Sequence, residues 1–189
     1  MQLLSPDQHV SASDAAFAVF RQKLDDASRA PAAALPQRMI EALGYCPSSE
    51  SILTDTQREV CDAAYQRHVL YAPDNGRLCA VALVWRPGQQ TPVHGHYTWC
   101  AYRVMQGTME ETLYHWQADR QSAVPHDRYL RHAGYAVASH AGMDATHRLR
   151  NAGNGIAVSV HVYGVHGEQI CTHVNRIAAV EAAGSDHSA

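Results

Sequence analysis

The chain has 189 residues, 46% of them hydrophobic and 17% charged, with a net charge of −3. That length suits one domain with a sizeable core, and the charge balance offers no basic footprint for nucleic acid. No apolar run approaches membrane-spanning length, and "MQLLSPDQHV" lacks the basic and apolar regions of a signal peptide, so a cytoplasmic protein without nucleic-acid or membrane partners is expected.

The first third reads as helical. In "SASDAAFAVFRQKLDDASRA", Phe17, Phe20 and Leu24 fall at i, i+3 and i+7, one apolar stripe, with Ser11 and Asp14 as a weakened capping box. "LPQRMIEALGY" sets Pro36 at a helix start and Gly44 just past a helix end. Thr54, with Gln57 three residues on, starts a third helix expected to run to about Tyr65. Beyond it the segments shorten. "HVLYA", "RLCAVALVW", "TWCAYRVMQG", "MEETLYHW", "YAVASH", "HRLRN", "GIAVSVHVYG" and "EQICTHV" are rich in Val, Leu, Tyr and Thr. They are split by Gly, Pro, Asn or Asp, with "PDNG" as one turn. Many short strands of this kind predict an all-β sandwich or barrel. The expected organisation is one domain over 1–189, with a helical cover to about 65, a barrel over about 66–180 and a loose tail at 183–189.

Five cysteines (Cys46, Cys61, Cys79, Cys100 and Cys171) form no CxxC pair, which argues against a disulfide framework and a structural zinc site. Histidine is the unusual residue: there are 13, against 15 Lys plus Arg. Imidazole is the commonest metal ligand, so position must decide which of them matter. His94 and His96 flank Gly95. On an extended strand, residues i and i+2 share a face, so two imidazoles would aim at one point. Ser159, His161 and Tyr163 alternate with Val158, Val160 and Val162. One strand face is thus apolar and the other carries three hydrogen-bonding groups in a row, which buried would have to pair with one another.

The spacing Gly88, His94, His96, Cys100, Gly107 is similar to the first cupin motif, G-x5-H-x-H-x3,4-E-x6-G, with cysteine in place of glutamate. "HRLRN" supplies His147 and Asn151 at the H-x3-N interval of the second motif. With "SVHVY" and "YQR" added, the chain resembles the cysteine dioxygenase family, the thiol dioxygenases of the cupin fold, from about Tyr65 to Tyr163. The resemblance implies an all-β cupin core, a double-stranded β-helix or jelly-roll barrel with N-terminal helices. It implies Fe(II) held by His94, His96 and His147, and a Ser159–His161–Tyr163 relay. Arg67, with Tyr65, would bind the substrate carboxylate. The partners would be a small thiol and O2, and the product of L-cysteine would be a sulfinate.

Two points stay open on the resemblance. Cys100 would lie near Tyr163, either joined to it as a thioether or as a reduced thiol in a dry core. Relatives specific for 3-mercaptopropionate carry their carboxylate arginine after the relay tyrosine, where this chain has none until Arg176. That favours L-cysteine, with 3-mercaptopropionate oxidation and a non-enzymatic metal-binding cupin as alternatives. His140 is expected in a loop, His115, His126, His132, His166 and His173 in surface or structural roles, Trp85 and Trp99 in the core, and Asn151 as a tie for its strand.

Overall fold

A computed structural model gives the fold of residues 12–59 and 63–181. Ser11, Cys61 and the tail expected to be loose lie outside the described residues. Four helices come first: α1 (Ala12–Ser28), α2 (Leu35–Leu43), α3 (Ser49–Ile52) and α4 (Asp55–Arg58). The stripe on α1 buries Phe20 and Leu24, and α2 buries Leu35, Met39, Ala42 and Leu43. Pro36 stands in the first turn of α2, where its missing N–H goes unused. Gly44 closes α2 in the right-handed conformation, φ −62°, and not as a left-handed cap.

Thr54 and Gln57 form the expected reciprocal capping box, but the helix they start is only four residues long. It buries none of its residues, and a helix with no packed face has little to extend it. The expected run to Tyr65 is therefore corrected to Asp55–Arg58.

Eleven strands follow in the described residues: β1 (Gln66–Tyr71), β2 (Cys79–Trp85), β3 (His94–His96), β4 (Cys100–Gln106), β5 (Thr108–Gln117), β6 (Ser122–His132), β7 (Ala136–Ser139), β8 (Gly142–Asn151), β9 (Ala157–Tyr163), β10 (Asn175–Ile177) and β11 (Ala179–Val180). They form a five-stranded sheet, β1-β2-β9-β4-β7, and a six-stranded sheet, β10-β3-β8-β5-β6-β11. The pairings among these strands are antiparallel except that of β11 with β6. The two sheets face each other as the expected cupin jelly roll.

The five-stranded sheet separates two cores. On its outer face, Ala80, Ala82, Val84, Ala101, Val158, Val160 and Val162 pack against α1 and α2. Inside the barrel lie Val81, Leu83, Trp85, Val104, Met109 and Leu149. Gly88 and Gly107, the glycines that bound the HxH motif, both take φ of +81°, a left-handed conformation that side chains resist.

"EQICTHV" is not a strand. It folds as a 3-10 turn at Gly167–Gln169 followed by hydrogen-bonded turns from Gln169 O to Thr172 and His173. Ile170 and Val174, four apart, are the residues it buries, a helical spacing in a segment read as alternating. The long strand β6 is absent from the sequence reading because Pro125 and the run His126, Asp127 and Arg128 hide it. Its solvated outer residues explain that polarity.

Candidate metal centre

His94 and His96 stand on the short strand β3, between β10 and β8. His147, on β8, pairs in register with His94. Gly95 lets the strands close: a Cβ there would lie 2.5 Å from the Gly142 carbonyl oxygen and 2.6 Å from Met143 Sδ. The three imidazoles are 3%, 3% and 6% exposed. Their ring centroids are 4.8 to 5.3 Å apart. One nitrogen from each lies within 4.8 Å of the others, a cluster that could hold a metal ion.

The hydrogen bonds of the rings leave the right atoms free. His94 Nδ1 bonds the Pro92 carbonyl oxygen at 2.9 Å, and His147 Nδ1 bonds Glu111 Oε1 at 2.9 Å. Each bond occupies Nδ1 and leaves Nε2 as the ligand nitrogen. Burial first, then the neighbouring rings, push His94 down to about 3 and His96 to about 2. They are neutral donors at physiological pH. Three buried, converging imidazoles fit a divalent transition-metal ion.

Opposite the triad, β9 presents the polar row. Ser159, His161 and Tyr163 are 0%, 4% and 4% exposed, so this face is interior and must pair its polar groups. Trp85 Nε1 donates to Ser159 Oγ at 3.0 Å, Ser159 Oγ meets His161 Nε2 at 2.9 Å, and His161 Nδ1 meets Tyr163 Oη at 3.2 Å. The indole N–H is a donor only, so Ser159 accepts there. If Ser159 also accepted from His161, its own hydrogen would be buried without an acceptor. The satisfied arrangement has Ser159 donating to Nε2 and Nδ1–H donating to Tyr163, which leaves the Tyr163 hydrogen for a partner outside this row. Burial holds His161 well below its ordinary pKa, hence neutral. Burial and the adjacent Cys100 hold Tyr163 well above its own, hence a phenol. Trp85, expected only in the core, is also the first donor of this chain.

Cys100 pairs in register with Tyr163 from β4, and Cys79 does so from β2. A hydrogen bond links Cys100 to Tyr163, while burial pushes the Cys100 thiol far up. Neither cysteine forms a disulfide, nor do Cys46 and Cys171.

Tyr65 stacks against Trp85 at 4.2 Å. Arg67, on β1, donates to the Ile170 carbonyl oxygen at 3.2 Å, while its buried Nε has no hydrogen-bond partner. It pairs in register with Leu83, which faces the barrel interior, and its charge acts on His94, His161 and Tyr163. Arg176 is exposed and lies opposite Gly95, so it belongs to the outer face of the strand.

Other expectations resolve simply. His140 is exposed. Asn151 donates to the Trp85 and Gly155 carbonyl oxygens and accepts from Gly153 N–H, tying its strand. His115 and His126 stack at 3.9 Å, and His126 bonds the exposed Asp127.

The sequence reading missed a second group. Glu111 on β5 is 4% exposed and bonds both His147 and, at 2.9 Å, Arg131 Nε on β6. Burial raises the Glu111 pKa, but the bonds from His147 and Arg131 outweigh it and hold the carboxyl below its ordinary range. The buried Tyr102 hydroxyl faces the same carboxylate, and its ring stacks on His161 at 5.3 Å. A cavity of about 280 Å³ lies here, bounded by His96, His147, Cys100, Tyr102, Glu111 and Arg131. The signal was present: Met109, Glu111 and Leu113 alternate in "MEETLYHW", setting an acid in an inward row.

Among solved structures, the chain is similar to TT1209 from Thermus thermophilus, at 20% identity over 60% of this chain and 97% of that one, TM-score 0.43. It is similar to an uncharacterized conserved protein with a double-stranded β-helix domain from Klebsiella pneumoniae, at 19% identity over 61% of this chain and 90% of that one, TM-score 0.45. A Cupin 2 conserved barrel domain protein from Salinispora arenicola is similar at 19% identity, over 59% of this chain and 84% of that one, TM-score 0.44. The family model for cysteine dioxygenase type I matches residues 48–176. That match takes in well over half of the chain and both strands of the histidine cluster, and on it the protein belongs to the cysteine dioxygenase type I family and is an oxidoreductase, a cupin thiol dioxygenase.

Proposed function

We propose that the protein is an iron-dependent dioxygenase of L-cysteine, working as one cupin unit, with His94, His96 and His147 as the ligands of Fe(II). The observation that carries this reading is a buried three-imidazole cluster in a barrel whose interior Arg67 also faces, opposite Leu83, with its buried Nε without a hydrogen-bond partner. When bound, Fe(II) supplies the coupling of the thiol to dioxygen, with both oxygen atoms ending on sulfur as a sulfinate. The protein supplies binding, orientation and a dry site. With Cys100 where typical cupins have glutamate, the ligand set has no carboxylate, which favours an anionic thiolate as a further ligand.

Arg67 binds the substrate carboxylate through its guanidinium fork, which matches two oxygens. Tyr65, packed at a 32° tilt against Trp85, closes that side. Tyr163 turns its hydroxyl hydrogen from Cys100 to the bound substrate. His161 and Ser159 hold that phenol in orientation, with Trp85 behind them. The contact between Cys100 and Tyr163 supports a thioether between them, whose signature is an intact mass lower by two hydrogens.

The preference for L-cysteine over 3-mercaptopropionate rests on Arg67 inside the barrel and Arg176 outside it. Oxygen uptake and sulfinate formation by the iron-loaded protein over a thiol panel test it. L-cysteine is expected as the best substrate, and Arg67→Ala is expected to raise its KM more than it lowers kcat. Uptake with 3-mercaptopropionate but not with L-cysteine would contradict this reading. Bound zinc or nickel with no uptake on any thiol would favour a metal-binding cupin without activity.

A further inference from the structure

The three imidazoles differ in what holds their second nitrogen. His94 Nδ1 has a neutral backbone carbonyl, and His96 Nδ1 is buried with no hydrogen-bond partner. Only His147 Nδ1 meets a carboxylate, Glu111, 5% exposed at its side chain. The other oxygen of that carboxylate takes Arg131 Nε at 2.9 Å. The Arg131 guanidinium lies 4.4 Å from the Tyr129 ring centroid and 4.2 Å from that of Tyr135, so its position is fixed from both sides. Every part of the row Arg131–Glu111–His147 is thus held. A buried carboxylate is costly to retain unless something needs its charge, since an apolar residue of similar size would pack there at no desolvation penalty.

We propose that Glu111 is a positioning residue that supplies the metal centre with the negative charge its ligand positions lack. As acceptor from Nδ1–H, it fixes His147 in the tautomer that presents Nε2 and makes that nitrogen a stronger donor than its two neutral neighbours. Arg131 acts through Glu111, whose second oxygen it holds. The carboxylate absent at position 100 is in effect returned one hydrogen bond further out. The inference rests on the metal part of the proposed function and not on the thiol reaction, so it can be tested without any thiol.

The test is anaerobic Fe(II) binding by competition with a chromogenic chelator, together with the midpoint potential of the bound iron. Glu111→Gln keeps the size and an acceptor oxygen but removes the charge. The expected result is an affinity lower by about 10–100-fold and a higher midpoint potential, since a lost negative charge favours the ferrous form. Because Glu111→Gln leaves the Arg131 charge buried and unpaired, the double variant Glu111→Gln with Arg131→Met serves if the single one does not fold. It removes both charges and is expected to show the same loss. Either folded variant binding Fe(II) within about threefold of wild type, below the range for loss of an outer partner, with an unmoved potential, overturns the inference. Wild-type protein that binds no Fe(II) overturns it together with the proposed function, whereas wild-type protein that binds Fe(II) tightly but oxidises no thiol sinks only the latter.

Discussion

The two faces of the five-stranded sheet carry opposite chemistry within the same strand. On β9, Val158, Val160 and Val162 face the helices in an apolar core. One residue away in each case, Ser159, His161 and Tyr163 face the barrel and bond one another. All seven residues of β9 are buried, so burial alone does not distinguish the faces. The difference teaches that stability and chemistry are divided here by the period of two, and that a single-residue slip in register would exchange them.

Substitutions on either face should therefore separate in what they change. The largest effect is expected inside. His96→Ala removes a ligand and should lower Fe(II) affinity by more than the roughly 10–100-fold that loss of an outer partner costs. Turnover should fall with it while the fold, read by circular dichroism, is kept. Iron binding at the wild-type level in that variant would remove His96 from the centre. On the outer side, Leu24→Ala opens a cavity in the helix–sheet core and should cost about 2–5 kcal/mol of stability. Iron affinity measured below the lowered melting point should stay as in wild type. A loss of both would mean the two cores are coupled through the sheet.

A subtler change inside is Tyr163→Phe. It deletes the hydroxyl that His161 orients and should lower kcat by about 10²-fold if the group acts as oxyanion donors do. Melting temperature and iron content should change little.

A further effect on the inner face is read by pH. His94 at about 3 and His96 at about 2 sit below the ordinary 6.5, so the metal-free native state stays unprotonated where the unfolded chain takes up protons. Their contribution to stability is complete above pH 6.5 and is lost as pH falls from there toward 3. The loss is about 1.4 kcal/mol per pH unit for each group. The melting temperature of the metal-free protein should therefore fall between pH 6.5 and 5. A flat profile would show that these rings are protonated in the native state.

What was legible in the sequence follows the range of each signal. His94, His96 and the Ser159–Tyr163 row are visible because a strand's period is local. His147 is visible through its fixed interval to Asn151. For Glu111 only the inward alternation with Met109 and Leu113 is local; its role is not, because its partners His147 and Arg131 lie 36 and 20 residues away and one of them stands on a strand the sequence did not suggest. The charges of β6 that concealed it are solvated on one side and paired inward at Arg131. The segment after Tyr163 was misread because Ile170 and Cys171 look like strand residues. There the carbonyl of Ile170 turns inward to accept from Arg67, a tertiary contact with no local trace. Helix α4 shows the converse: its cap is local and legible, while its length depends on a packing face it lacks.

Bound iron and thiol-dependent oxygen uptake, measured on one sample, decide whether the three imidazoles hold iron for thiol oxidation. One Fe(II) per chain is expected, with uptake only when both iron and L-cysteine are present. Iron bound at these histidines with no oxygen consumed on any thiol would contradict it.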